Sequence, residues 1–163
     1  MVQRGLAWLA KKEYDKAIAD FNRAIRLNPN YALAYYKRGN AWRDKKQYDK
    51  ALADYTEAIR LDPKDADAAN NRAWLAATCP DSKYRNGKKA VDDATRACEL
   101  VDWKGGGPLD SLAAAYAETG DFDAAIKWEM KALEIVGTED KAGCQARLDL
   151  YKAHKPYREE VTK

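Results

Sequence analysis

The side chains that could do chemistry in this 163-residue chain are few and scattered. Histidine is the usual general base near neutral pH, and the single histidine, His154, lies alone in a polar C-terminal stretch. The three cysteines, Cys79, Cys98 and Cys144, have irregular spacing that matches neither a paired metal site nor a disulfide framework. No glycine-rich phosphate-binding loop accompanies them. The sequence therefore predicts no catalytic residues, no metal site and no cofactor.

The charged residues are nearly balanced, with 29 Lys and Arg against 26 Asp and Glu and a formal charge of +3. So small an excess does not indicate nucleic-acid binding, which uses concentrated positive charge. No apolar run approaches the ~20 residues of a membrane-spanning helix, and the N-terminus lacks a signal-peptide pattern. We therefore expect no nucleic-acid partner and no membrane insertion, and the free cysteines favour a cytoplasmic location.

Two stretches of the chain repeat each other. Residues 5–29 read GLAWLAKKEYDKAIADFNRAIRLNP, and residues 39–63, offset by 34 positions, read GNAWRDKKQYDKALADYTEAIRLDP. In residues 31–44 and 48–61, small and aromatic residues recur at spacings of three and four, which is one face of a helix. A proline follows the second helix of each unit and stops it. The pattern predicts antiparallel helical hairpins that stack into a solenoid.

The repeated residues resemble those of the tetratricopeptide repeat (TPR) family, as in bacterial-type TPR-repeat proteins, whose unit is 34 residues long. The second repeat supplies most of the family pattern: Tyr35, Gly39, Trp42, Ala51, Tyr55 and Pro63. Arg38 stands where the family usually has leucine. The resemblance implies an all-α fold, a right-handed superhelical solenoid of about four TPR hairpins plus a C-terminal capping helix.

Two later units are more degenerate. Ala73 takes the glycine position of the third unit, and five residues are inserted within residues 79–87, where Pro, Asp, Ser, Asn and Gly indicate a loop. We expect one TPR domain over residues 1–163. Its parts would be repeats at 1–30, 31–64, 65–103 and 106–137 and a capping helix at 139–153.

The resemblance implies a concave groove lined by set positions of the first helix in each repeat. The partner-binding residues that we expect there are Tyr36, Asn40, Arg43, Asp67, Asn70, Asn71 and Trp74. Asn40 and Asn71 stand out, because an amide both donates to and accepts from a peptide bond and asparagine is a poor helix former. They could equally be solvated surface residues. Trp74 would either face the groove as an aromatic anchor or pack on the preceding repeat.

Some members of the family grip a C-terminal carboxylate with Lys, Asn and Arg side chains. Asn40 and Asn71 match the asparagines of that clamp, but Tyr36, Gly107 and Ser111 stand where it has cations. A carboxylate would find no charge-assisted partners there, so we expect no clamp.

Trp128 and the inserted loop depart from the repeat pattern. The positions equivalent to Trp128 hold Asp20, Asp54 and Asp93, which we expect to face solvent. The capping helix would cover Trp128, or a partner would bind it. The loop at residues 79–87 is either a recognition device or a tolerated insertion.

A noncatalytic protein-interaction scaffold is the function that we expect, with a partner peptide or helix bound in the groove. The first helix begins in mid-pattern, which favours a fragment of a longer array or a short, frayed helix. Two alternatives remain open at this point. The chain could assemble with itself by stacking through an uncapped N-terminal edge, or it could be the scaffold portion of a longer multidomain protein.

Overall fold

The computed structural model describes residues 1–160, and in that range it contains helices and turns but no β-strand. The helices are α1 (Val2–Ala10), α2 (Tyr14–Leu27), α3 (Ala32–Asp44), α4 (Tyr48–Leu61), α5 (Ala66–Thr78), α6 (Gly87–Leu100), α7 (Gly106–Thr119), α8 (Phe122–Ile135) and α9 (Thr138–Lys152). A single 3-10 turn, Ser82–Tyr84, lies between α5 and α6. The predicted all-α class is confirmed. Among these described residues, no helix has both the length and the apolar character needed to cross a membrane.

The helices belong to two compact units, Met1–Ala68 and the residues from Ala69 onward. Helices α1 to α4 form two hairpins in the first unit, and α6 to α9 lie in the second. Helix α5 begins in the first unit and continues into the second. The expectation of a single domain stays a prediction.

In the first unit, a glycine of one helix meets an aromatic ring of the next. A Cβ atom added to Gly5 would lie 2.8 Å from a ring carbon of Phe21, and one added to Gly39 would lie 2.8 Å from a ring carbon of Tyr55. Both rings are fully buried. The missing side chain therefore lets the two backbones of each hairpin approach closely, and the ring fills the space beside them.

The second unit has a core of small residues, with leucine between its helices. The buried residues of one cluster are Ala73, Ala94, Cys98, Leu109, Leu112 and Ala132. All three cysteines lie in this unit, are buried and form no disulfide. Burial raises the pKa of Cys98 to about 12 and that of Cys144 to about 11, so neither thiol is ionised at neutral pH.

In each of the first three hairpins, an arginine of the first helix pairs with an aspartate of the second helix. They are Arg4–Asp20, Arg38–Asp54 and Arg72–Asp93. In each pair the arginine Nε lies 2.7 Å from the Oδ2 of the carboxylate, and a second nitrogen contacts Oδ1. The prediction that these aspartates face solvent is wrong, because each carboxylate is buried against the guanidinium that arrives from the helix before it.

The fourth repeat replaces this pair with apolar residues. Leu112 stands where the other repeats have arginine, and Trp128 where they have aspartate. Leu112 is buried in the core of the second unit, and Trp128 packs against the same cluster. Since both partners changed together, no charge is left buried and unpaired.

Candidate functional site

Two of the predicted groove residues, Tyr36 and Asn40, are engaged inside the second hairpin. Tyr36 is only 7% exposed, and its ring centroid lies 6.2 Å from that of Tyr55. The Tyr55 hydroxyl donates to the Oδ1 of Asn40 at 2.8 Å. Burial raises the pKa of Tyr36, and its hydrogen bond with Asn40 opposes that shift. The amide of Asn40 is thus part of the hairpin's own hydrogen bonding.

The other two predicted residues of the first unit, Arg43 and Asp67, are charged and nearer to solvent. Arg43 is half-buried and donates to Asp44 at 3.0 Å, next to it in the chain. Asp67 is exposed in the first turn of α5. Asp67 is therefore the more exposed of the two side chains.

Asn70, Asn71 and Trp74 follow in the second unit, on helix α5. All three are half-buried. Asn70 and Trp74 are four residues apart and so share one side of the helix. The Oδ1 of Asn70 is buried and accepts no hydrogen bond within residues 1–160. A buried acceptor without a donor is uncommon in a folded protein and indicates a group that a ligand can satisfy.

Trp74 is in contact with the C-terminal segment, which we define as residues 155–160. Its indole Nε1 donates to the Glu159 carboxylate at 2.6 Å, and its ring centroid lies 5.7 Å from that of Tyr157. The guanidinium of Arg147 lies over both rings, 5.4 Å from the Trp74 centroid and 5.6 Å from the Tyr157 centroid. The segment thereby covers the aromatic side chain that the sequence predicts as an anchor.

The C-terminal segment also contacts the last carbonyl groups of α5. The amide of Glu159 donates to the carbonyl oxygen of Thr78 at 3.0 Å, and Arg158 donates to that of Ala77 at 3.3 Å. Arg158 forms an ion pair with Glu118 of α7 as well. Because the last carbonyls of a helix have no partner within the helix, the segment supplies bonds that α5 cannot make for itself.

At the C-terminal ends of α1, α3 and α7, by contrast, the residues that directly follow the helix bond to the last carbonyl groups. Lys12, Lys46 and Gly120 adopt left-handed conformations there, with φ of 58°, 60° and 86°. The amide of the next residue then reaches back to a carbonyl of the last turn, as in the bond of 2.9 Å from the Gln47 amide to Trp42.

The inserted loop, residues 79–87, follows α5 and does not form this bond from a left-handed turn back to the last carbonyls. Its Asn86 amide donates to the carbonyl of Ala76 at 2.8 Å, and Arg85 donates to the carbonyl of Cys79 at 2.7 Å. The carbonyls of Ala77 and Thr78, which lie between them, bond to the C-terminal segment. The insertion therefore leaves these two carbonyls of α5 to the C-terminal segment.

Trp128 stacks on Trp103, with ring centroids 5.2 Å apart and 24° between the planes. Trp103 belongs to the turn after α6, where Asp102 and Trp103 are successive left-handed residues with φ of 51° and 59°. Trp128 also packs against a cluster that contains Tyr151 of α9. Trp128 therefore stacks on a ring from a turn and also belongs to the cluster that contains Tyr151 of the capping helix.

A cluster of polar side chains lies among α7, α8 and α9. Arg147 donates to both oxygens of Asp110, at 2.6 and 2.8 Å, and to the sulfur of Cys144 at 3.3 Å. Its Nε lies 3.6 Å from Glu129, which is fully buried. Burial, together with the neighbouring Asp110 carboxylate, raises the pKa of Glu129 to about 9, so this carboxyl is protonated at neutral pH.

The sequence predicts no metal site, and in the structure Asp110, Glu129 and Cys144 place potential ligand atoms within 4.8 Å of one another. Arg147 already donates to two of these three side chains and so supplies the positive charge of the cluster. A protonated carboxyl and a protonated thiol are poor metal ligands. The donor set therefore suits an internal ion pair better than a metal ion.

Both this cluster and the C-terminal segment were missed by reasoning from the sequence. One signal was present for the cluster, since Glu129 stands at the repeat position that holds Phe21 and Tyr55. A charged residue at a core position indicates a buried polar network. The segment carries no such signal, because its polar residues show no helical or strand periodicity.

The fold described so far, helical hairpins repeated along the chain with small residues at each seam, defines a helical-repeat protein. Three profiles match it: "TPR repeat" at residues 5–42 and "Tetratricopeptide repeat" at residues 32–65 and 109–135. The chain belongs to the tetratricopeptide repeat family, as the sequence indicated. Proteins of this family generally bind other proteins and are typically noncatalytic scaffolds.

Solved structures resemble the chain in fold. One structure of MamA is 23% identical, with a TM-score of 0.71 over 87% of this chain and 73% of that one. A second MamA structure is 19% identical, with a TM-score of 0.75 over 91% and 82%. PilW, a type IV pilus biogenesis factor, is 19% identical, with a TM-score of 0.72 over 94% and 73%. No curated protein matches the chain.

Proposed function

We propose that the chain is a noncatalytic interaction scaffold that binds an extended protein segment on its second unit, against α7 and the part of α5 from Ala69 onward. The observation that carries this proposal is the position of the C-terminal segment, whose residues 156–159 are half-buried against those helices. A surface that holds an extended chain by its backbone and side chains has the chemistry that peptide recognition requires.

Three kinds of group on this surface support the proposal. The carbonyls of Ala77 and Thr78 accept hydrogen bonds from a chain that lies across the end of α5. Trp74 offers an aromatic face together with an N–H donor. Asn70 adds a buried oxygen that accepts no bond from the described residues. Backbone contacts would hold a partner in place, and Trp74 would select among partners.

Arg43 and Asn40, two predicted groove residues of the first unit, are engaged in other contacts. Arg43 donates to Asp44, and Asn40 would have to exchange its bond from Tyr55 before it could bind a partner. We therefore assign partner binding to the surface of the second unit.

Binding alone, without a chemical step, is the function proposed. Glu129, whose pKa burial raises to about 9, is fully buried and faces Arg147 rather than an opening. A substrate would have no access to it.

The proposal can be tested by selecting from a library of random linear peptides on the immobilised full-length chain. We expect enriched peptides that bind the wild type and lose at least tenfold in affinity with Trp74→Ala. Trp103→Ala is the matched control, because Trp103 contacts Trp128 and not the C-terminal segment. Glu118→Gln, a smaller change at the same surface, should also weaken binding and guards against loss of folding in Trp74→Ala.

The absence of any enriched peptide, or equal binding by the Trp74 and Trp103 variants, would refute the proposal. Light scattering over a hundredfold range of concentration tests the self-assembly alternative. A constant mass near the 18.4 kDa of one chain agrees with a scaffold that binds other proteins. A mass that increases with concentration favours assembly instead.

A further inference from the structure

We infer that the α5–α7 surface selects an extended segment with an aromatic residue, a basic residue and an acidic residue in succession, and that Tyr157, Arg158 and Glu159 are the chain's own copy of that ligand. This inference rests on the proposed function and specifies its partner. Alternate residues of an extended chain point to opposite sides, which is the arrangement seen here. Tyr157 and Glu159 both contact Trp74, while Arg158 contacts Ala77 and Glu118.

The aromatic position lies between an aromatic ring and a cation. The Tyr157 ring is tilted by 40° against Trp74, and the Arg147 guanidinium lies 5.6 Å from its centroid. Aromatic pairs and cation–π contacts both depend on a planar ring. An aliphatic residue would bury area at this position without either interaction.

The acidic position is set by the indole of Trp74. An indole N–H can only donate, so it needs an acceptor, and the Glu159 carboxylate provides one at 2.6 Å. The amide of the same residue donates to the carbonyl of Thr78 at 3.0 Å. The side chain and the backbone of one ligand residue are thus fixed together, which sets the register of the whole segment.

The basic position faces two acceptors. Arg158 pairs with the Glu118 carboxylate and donates to the carbonyl of Ala77. Glu118 also accepts from Arg85 of the inserted loop at 3.1 Å. The loop therefore holds Glu118 toward the ligand, and an acidic residue at the central position would be repelled.

The covalent link to α9 makes the C-terminal segment a competitor for every other ligand. A short tether gives an effective concentration on the order of millimolar, so a weakly bound partner cannot displace it. Only a segment that makes more contacts than the chain's own residues would occupy the surface. The C-terminal segment would thus set a threshold of affinity for binding.

The experiment uses a fluorescent peptide with the sequence of residues 155–160, KPYREE, and its isomer KPRYEE, in which the aromatic and basic residues are exchanged. Each is titrated against the full-length chain and against the full-length double variant Tyr157→Ala with Glu159→Gln, by fluorescence anisotropy. The double variant weakens the internal contacts and leaves α5, α7 and the loop unchanged. The indole N–H resonance of Trp74, assigned with Trp74→Phe, reports whether its hydrogen bond is made.

We expect KPYREE to bind the double variant at least tenfold more tightly than the wild type and at least fivefold more tightly than KPRYEE. It should also restore the Trp74 resonance to its wild-type position. Equal binding of the two peptides, or equal binding by the two proteins, would overturn the inference.

The failure of this inference is distinguishable from failure of the proposed function. Peptides selected from the random library that depend on Trp74 but lack the aromatic–basic–acidic order would uphold peptide binding and overturn the specificity inferred here. A library that yields no Trp74-dependent peptide would overturn both. Circular dichroism of the double variant at each titration temperature shows that it is folded.

Discussion

The same repeat positions carry different chemistry in the two compact units. In the first unit, two hairpins each place glycine against a buried ring, and α1 and α3 close their own ends. In the second unit, Ala94 and Glu129 stand at the positions that hold the buried rings in the first unit. The inserted loop follows α5 in place of a turn that bonds to the end of the helix. Where a repeat satisfies its own backbone, it is complete as structure. Where it does not, as at the end of α5, another segment of the chain supplies the missing bonds.

The largest effect that we expect comes from breaking the arginine–aspartate pair of the second unit. Arg72 and Asp93 have side chains that are each 9% exposed, so Asp93→Ala removes the carboxylate that pairs with a buried guanidinium. We expect a loss of about 3–5 kcal/mol in the free energy of unfolding, measured in urea. Asp20→Ala in the first unit is the control, because the Arg4 side chain is 61% exposed and stays solvated. An equal loss in both variants would contradict the role of burial.

The second prediction concerns how the buried carboxyl group of Glu129 makes the stability of the fold depend on pH. Burial and Asp110 raise the pKa of Glu129 from 4.5 to about 9. Between those pH values the folded chain holds a proton that the unfolded chain releases, so the free energy of unfolding falls as the pH rises, by ~1.4 kcal/mol per pH unit. Glu129→Gln needs no proton and should be more stable at pH 7, by on the order of 3 kcal/mol.

The measurement is urea unfolding from pH 5 to pH 9. Besides Asp110, the groups that face Glu129 are Arg147, Cys144 and Tyr151. Arg147 keeps its charge over this range, and burial raises the pKa of both Cys144 and Tyr151, so those two also stay protonated. Glu134→Gln changes an exposed carboxylate of the same helix and is the control. Parallel pH profiles for the wild type and Glu129→Gln would show that Glu129 does not hold the proton.

The third prediction tests the glycine–ring contact of the first unit. In Gly39→Ala the new Cβ would lie 2.8 Å from Cε1 of Tyr55, whose ring is fully buried and cannot move aside. We expect a loss of about 1–3 kcal/mol in thermal or urea unfolding. Gly107→Ala, in the first turn of α7, meets nothing within 4 Å and should gain up to about 1 kcal/mol from helix propensity. Equal effects at the two sites would rule out close packing as the cause.

The smallest effect concerns the helix ends. Lys46 has a φ of 60°, which glycine adopts without strain, so Lys46→Gly should stabilise the chain by up to about 1 kcal/mol. Gly120 has the same role at the end of α7, with a φ of 86°, and Gly120→Ala should lose a similar amount. Differential scanning calorimetry resolves both changes. Shifts of the same sign would contradict the assignment of left-handed closures.

The hairpins could be predicted from the sequence because their signals are local. The spacing of Gly39, Trp42 and Tyr55, and the prolines after the second helices, depend only on neighbouring residues. The arginine–aspartate pairs could not be predicted in the same way. Asp54 has the spacing of a surface residue, and its burial is decided by Arg38, which comes from another helix.

The partner-binding role of Trp74 and Asn70, which the family's groove positions imply, stays a prediction. The two residues lie four positions apart on α5 and so share one side of that helix. What covers Trp74 was not predictable, because Glu159 lies 85 residues further along the chain. A contact over that distance leaves no periodic pattern in either segment.

The buried thiols of the second unit allow the opening of that unit to be measured by their reaction with an alkylating reagent. Cys79, Cys98 and Cys144 can react with an alkylating reagent only when the structure around each one opens, and the first unit has no cysteine. The rate of alkylation of the wild-type chain therefore measures how often the second unit opens, and no cysteine has to be introduced or removed. Cys79 begins the inserted loop beside the C-terminal segment. Its alkylation rate, compared with that of Cys98, therefore reports how often the C-terminal segment leaves the α5–α7 surface.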